Sequence, residues 1–146
     1  KACELGLDEL SPVIGEHSER KVLKTQRVGK ILVSAAKQSL KASIPAVNEP
    51  VSVKEFIAGH KDSDPLKLIA YCFEDERVPR RSIKEVLDQY QGDEIIVMIG
   101  PEGDFSKDEA EAALEAGFIP VHLGASRLRT ETAALTAAAA VYFRYM

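Results

Sequence analysis

The sequence predicts an α/β fold in which helices flank a mostly parallel sheet. Three observations support that expectation. Short apolar runs alternate with capped helical segments, the run Glu94–Ile99 (EIIVMI) reads as a buried strand, and no linker, repeat or low-complexity tract interrupts the pattern. A length of 146 residues suits one compact domain.

The elements follow in order. KACEL followed by Gly6 reads as the last turn of a helix with glycine at its C-terminal cap, so the chain is expected to begin inside an element. A short extended segment near Leu10–Ile14 precedes a long amphipathic stretch from about Gln26 to Leu40, which ends ahead of Ile44-Pro45 because the residue before proline disfavours helix. Ser52-x-x-Glu55 and Ser82-x-x-Glu85 are capping boxes that open two shorter helices, and the apolar run Leu66–Phe73 between them is a buried strand. Ser106-x-x-Glu109 opens a further helix, with Phe105 and Ala110 placed as a hydrophobic staple and Gly117 closing it. Pro120–Leu123 is a short strand, and from Thr130 the chain is an alanine-rich helix, apolar nearly all round, that is expected to be shared between the core and a dimer interface.

Composition narrows the function classes. Apolar residues make up 45% and charged residues 29%, and no apolar run reaches the length of about 18 residues that a membrane helix needs. Cys3 and Cys72 lie far apart without C-x-x-C spacing, which predicts two buried apolar thiols and a cytosolic protein. A net charge of −4 argues against whole-surface binding to a polyanion, yet charge is segregated: Arg20, Lys21, Lys24, Arg27, Lys30, Lys37 and Lys41 form a stretch without a carboxylate. On a continuous helix Arg27, Lys30, Lys37 and Lys41 span roughly an 80° arc, which suits either a solvated flank or a phosphate-contact surface.

Most standard chemistries fail on spacing. His17, His60 and His122 lack an i,i+4 histidine partner or a nearby cysteine, so no metal site is expected, and no G-x-S-x-G, G-x-x-x-x-G-K-[ST] or G-x-G-x-x-G motif occurs. What remains are two loops. Gly100-Pro101-Glu102-Gly103-Asp104-Phe105-Ser106 follows the clearest strand and precedes a capped helix, where open parallel sheets place ligands. Leu123-Gly124-Ala125-Ser126-Arg127-Leu128-Arg129-Thr130-Glu131-Thr132-Ala133 follows the next strand; Thr130 as an N-cap and Glu131 as a first-turn acid account for part of it, but two arginines exceed what capping needs.

IGPEGDFSKDE (99–109) and HLGASRLRTETA (122–133), with upstream EHSERK (16–21) and KQSLKASIP (37–45), resemble the bacterial 16S ribosomal RNA uridine-N3 methyltransferases of the SPOUT superfamily. The resemblance covers essentially the whole chain. Two departures stand out: Asp104 occupies a position where many members have a second glycine, and ASRLR replaces a bulkier aliphatic run.

The resemblance implies a C-terminal trefoil knot, a homodimer, S-adenosylmethionine held in the knot, small-subunit ribosomal RNA as substrate, and no metal or membrane. It further implies that the chain is one methyltransferase domain (1–146) lacking its first strand and an N-terminal RNA-binding domain. The donor is then expected among Phe73, Ile99, Gly100, Pro101, Gly103, Leu123, Gly124, Ser126, Leu128 and Thr132, with main-chain groups of Ile99, Gly100, Leu123 and Leu128 facing adenine and ribose. The uracil N3 is a weakly acidic imide that must lose its proton; Glu102 and Glu131 are candidate bases and Arg129 a candidate stabiliser of a uracil oxygen. Arg20, Lys24, Lys37 and Gln38 are candidate RNA contacts. Two other readings compete: a SPOUT methyltransferase acting on another RNA position such as a ribose 2′-hydroxyl, and a non-catalytic RNA-binding or dimerisation module.

Overall fold

A computed structural model of the chain describes residues 7–18, 45–75 and 77–146. The long amphipathic stretch, the initial KACELG and Cys3 lie outside these residues. The extended segment near Leu10–Ile14 is two short strands, β1 (Glu9–Leu10) and β2 (Val13–Ile14), separated by Ser11-Pro12. They pair in parallel with β3 (Ala46–Val47) and β4 (Val51–Ser52), respectively.

After helix α1 (Val53–Gly59) come β5 (Leu66–Ala70), β6 (Arg81–Ser82), helix α2 (Ile83–Gln89), β7 (Ile95–Ile99), helix α3 (Lys107–Glu115), β8 (Ile119–His122) and helix α4 (Thr130–Tyr145). Strands β5 to β8 form one sheet in the order β6-β8-β5-β7, and all of its pairings are parallel. The alternation of strand and helix therefore gave the right class of fold: parallel neighbours need a crossover, and each crossover lays a helix on one face of the sheet.

Side-chain alternation along the strands divides the core into two layers. On one face Ile69, Tyr71 and Met98 pack with Val53, Ile57, Phe105, Ala110 and Ala113, the inner stripes of α1 and α3. On the other, Leu68 and Val121 pack with Ile83, Val86, Leu87 and Ala137 from α2 and α4. Lys67 fastens the first layer. Its ammonium group is buried, and it donates to the carbonyls of His60 (2.9 Å), Lys61 (3.1 Å) and Ala116 (2.9 Å), where α1 and α3 end. A cation there meets the negative ends of two helix dipoles at once.

Several local expectations need correction. The strand predicted over Leu66–Phe73 ends at Ala70, because its neighbour β7 ends at Ile99 and the Cys72 amide turns to a carboxylate outside the ladder. Cys72 is consequently exposed and not a buried thiol. The three capping boxes differ. Ser106 and Glu109 bond reciprocally, Ser52 accepts from the Glu55 amide, and Ser82 sits at the cap position without a side-chain bond. Helix α4 has Arg129 at its cap, while Thr130 is already helical and directs its hydroxyl elsewhere. In that helix and just beyond it Tyr142, Phe143, Tyr145 and Met146 are exposed, so the core of one chain covers only part of its apolar surface.

Candidate active site

The site begins with the register of the sheet. Ala70 lies level with both Ile99 and Val121, so β5, β7 and β8 release their chains at the same edge. The loops that follow, 71–80, 100–106 and 123–129, are therefore neighbours at the carboxyl edge of the parallel strands, where open sheets of this kind place ligands.

Hydrogen bonds then tie the loops together through 100–106. The Thr130 hydroxyl donates to the Gly100 carbonyl at 3.0 Å, joining the two glycine-bearing segments directly. Asp104 makes the second tie: one carboxylate oxygen accepts from the Cys72 amide at 2.7 Å, the other from the Phe105 amide at 2.8 Å. Its own amide closes a tight turn onto the Pro101 carbonyl at 2.8 Å. Asp104 has φ +65°, the left-handed conformation that favours glycine. The turn thus explains why glycine suits this position, and the carboxylate bonds explain what aspartate adds.

A third tie comes from the residues after β2. Gly15 and Ser18 close a turn on each other, through the Gly15 amide to the Ser18 hydroxyl at 2.9 Å and the Ser18 amide to the Gly15 carbonyl at 3.2 Å. The Glu16 amide donates at 3.1 Å to Glu109, a buried carboxylate whose other oxygen caps α3 through the Ser106 amide at 2.8 Å. Nδ1 of His17 lies 2.9 Å from the Gly103 carbonyl. A Cβ on Gly103 would lie 2.8 Å from the His17 Cβ, so only glycine permits this approach.

The remaining predicted residues line the same edge. Gly100 is buried, and a Cβ there would meet the Phe105 ring at 3.2 Å, so this glycine serves the close packing of its own loop. Gly124 has φ +116° with open space above it, leaving its backbone accessible between the half-buried Leu123 and Leu128. Phe73 stacks on Tyr71 with ring centroids 4.3 Å apart. Ile99 and Pro101 are half-buried, and Gly103, Ser126 and Thr132 are exposed. Glu102, Arg129 and Glu131 are exposed, and their side chains have no hydrogen-bond or ion-pair partner among the described residues. Arg20, Lys24, Lys37 and Gln38 lie outside the described residues.

In the loop after β5, Arg80 donates to the Tyr71 carbonyl at 2.8 Å and pairs with Glu74. The Tyr71 hydroxyl is buried without a partner among the described residues, and burial, reinforced by the Asp75 charge, raises its pKa. Asp75 titrates below the usual carboxylate range because Arg77 hydrogen-bonds to it. Sequence reasoning missed the parts played by His17, Asp104 and the Thr130 hydroxyl. The one signal for His17 was its place in EHSERK, and the one for Asp104 was that it stands where many family members have a second glycine.

The fold is shared with solved structures. The chain superimposes on a Porphyromonas gingivalis protein described as a probable rRNA-methyltransferase, with TM-score 0.82, 45% identity, and coverage of 97% of this chain and 58% of the other. It also superimposes on a Neisseria gonorrhoeae ribosomal RNA small subunit methyltransferase E bound to S-adenosyl methionine, with TM-score 0.77, 33% identity, and coverage of 97% and 57%. The ribosomal RNA small subunit methyltransferase E of Mesomycoplasma hyopneumoniae is 33% identical over 140 residues, 92% of this chain and 58% of that protein. Residues 1–142 match the RNA methyltransferase domain family, and the chain belongs to it. It spans a little over half the length of the curated relatives it matches, for example 55% of the Rickettsia conorii one.

Proposed function

We propose that this chain is the catalytic domain of an S-adenosylmethionine-dependent RNA methyltransferase that methylates N3 of a uridine in 16S ribosomal RNA. The observation that carries the reading is the bond from Thr130 to Gly100, which unites the two glycine-bearing segments at the carboxyl edge of a parallel sheet. The names of the relatives and the donor bound to the Neisseria gonorrhoeae structure support the substrate and the cofactor.

The residues present fit the donor. The accessible Gly124 backbone, flanked by Leu123 and Leu128, offers main-chain polar groups beside apolar walls, which is what a nucleoside needs. Ile99, Gly100, Pro101 and Gly103 form the facing wall, with Phe73, Ser126 and Thr132 at its margins. When bound, the donor supplies a methyl group already activated on a sulfonium, so the protein's task is alignment. Arg129, unpaired and exposed, is placed to stabilise negative charge on a uracil oxygen as the imide loses its proton. Glu102 and Glu131 border the same edge and complete the charged groups around it.

The strand order supports the knotted topology of SPOUT enzymes. β8 enters between β5 and β6, strands formed earlier in the chain, and the segment after it is held against Gly100 at the end of β7. The partner we propose for the exposed Tyr142, Phe143 and Tyr145 is a second copy of the chain. Arg20, Lys24, Lys37 and Gln38 supply phosphate contacts in this reading, and ribosomal RNA as substrate accords with a cytoplasmic location. The target base must leave its stack to reach the methyl group.

The test is nucleoside analysis of small-subunit ribosomal RNA after incubation with the full-length protein and labelled donor. 3-Methyluridine is the expected product. A 2′-O-methyl product overturns the N3 assignment, and a folded protein that binds no donor overturns the enzymatic one.

A further inference from the structure

We infer that His17 is the proton acceptor of the reaction, its Nε2 taking the N3–H proton of the substrate uracil; the inference rests on the function proposed above. The argument starts from the hydrogen bond of Nδ1 to the Gly103 carbonyl. A carbonyl oxygen only accepts, so Nδ1 carries the hydrogen, and in the neutral imidazole Nε2 is left as an unprotonated acceptor.

The ring is held in that state by its surroundings. The 15–18 turn is closed on itself, its Glu16 amide is anchored to the buried Glu109, and the missing side chain of Gly103 admits the close approach of His17. His17 itself is exposed, so a fixed and oriented basic nitrogen stands beside the loop that forms one wall of the proposed donor site. The charged groups on the elements packed around it, among the described residues, are Glu16, paired with Lys54 at 3.4 Å, Glu102 and Asp104 on the glycine loop, and Glu109 behind the turn.

The carboxylate candidates lack such an anchor: the Glu102 and Glu131 side chains have no hydrogen-bond partner among the described residues, whereas the imidazole is fixed by the Gly103 carbonyl. The step balances. The N3–H bond breaks and leaves its electron pair on the ring nitrogen, while the proton joins Nε2 and is later shed to water. The freed pair bonds the methyl carbon as the old carbon–sulfur pair departs with sulfur.

The test uses the full-length protein and two variants. Asparagine can keep a donor to the Gly103 carbonyl while deleting Nε2, so His17→Asn is expected to bind donor as the parent does but to turn over about 10²–10³-fold more slowly. Its rate is expected to rise with hydroxide across a pH range over which the parent's rate is level. His17→Ala is expected to regain turnover with added imidazole. Nitrogen NMR of the free protein supplies a readout independent of activity, with Nδ1 protonated and Nε2 bare. An Nε2–H tautomer, or an Asn variant with parental turnover and pH profile, overturns the inference. So does a loss that imidazole leaves unrescued while the pH profile stays parental. A parent that makes no 3-methyluridine overturns the proposed function instead, a result distinguishable from each of these.

Discussion

Asp104 offers a perturbation whose size can be worked out. Its carboxylate accepts from the Cys72 and Phe105 amides while its backbone holds φ +65°. At this half-buried position each hydrogen bond contributes about 1 kcal/mol, so Asp104→Ala, which keeps the unfavourable backbone, should cost about 2 kcal/mol. Asp104→Gly loses the same bonds but relieves about 1 kcal/mol of left-handed strain, for a net cost of about 1 kcal/mol. With a urea m-value of about 2 kcal/mol/M, the midpoints should fall by about 1 M and about 0.5 M, read by denaturation at one protein concentration. Because the same carboxylate joins two loops of the site, donor affinity by calorimetry should fall in both variants. An alanine variant within about 0.2 M of the parent midpoint, or a glycine variant less stable than alanine, would refute the reasoning.

Three further outcomes are expected. Tyr71→Phe removes a buried hydroxyl that has no partner and should stabilise the fold by about 1 kcal/mol at neutral pH, measured by urea melts. The raised Tyr71 pKa means that the folded state holds the phenolic proton more tightly than the unfolded chain. Its contribution is therefore complete below about pH 10 and is lost as pH climbs through the folded-state value; the phenylalanine variant should lack this alkaline decline. Lys67→Met leaves three carbonyls at the ends of α1 and α3 without their shared donor and should cost about 2 kcal/mol or more, seen as a lowered melting temperature; an unchanged temperature would dismiss the two-helix anchor. Arg129→Ala should abolish methyl transfer while circular dichroism and thermal melting stay close to the parent, since its side chain has no partner to lose among the described residues.

The motifs of the chain and its structure divide the explanation unevenly. Alternating apolar runs and capped helices are local patterns, and they were sufficient to indicate a parallel α/β sheet, the strand at Ile95–Ile99 and the reciprocal cap at Ser106 and Glu109. The GPEG and LRTETA segments were likewise visible as unusual concentrations of glycine, arginine and acid at strand ends. Local patterns do not report distance, though. Both segments could have satisfied every propensity on opposite sides of the molecule.

Tertiary structure decided three things. Strand register placed Ala70 level with Ile99 and Val121, which made neighbours of loops separated in sequence. Side chains with plausible local duties took long-range ones: Thr130 reached Gly100 instead of capping its helix, and Asp104 captured the Cys72 amide, ending a strand that hydropathy alone extends to Phe73. His17, set apart in the sequence only by its place in EHSERK, acquired a partner for its Nδ1 in a carbonyl 86 residues away. The physical reason is common to all three. Periodicity and capping act within a few residues of the chain, whereas the chemistry of this site depends on hydrogen bonds between segments that only the packed sheet brings within 3 Å.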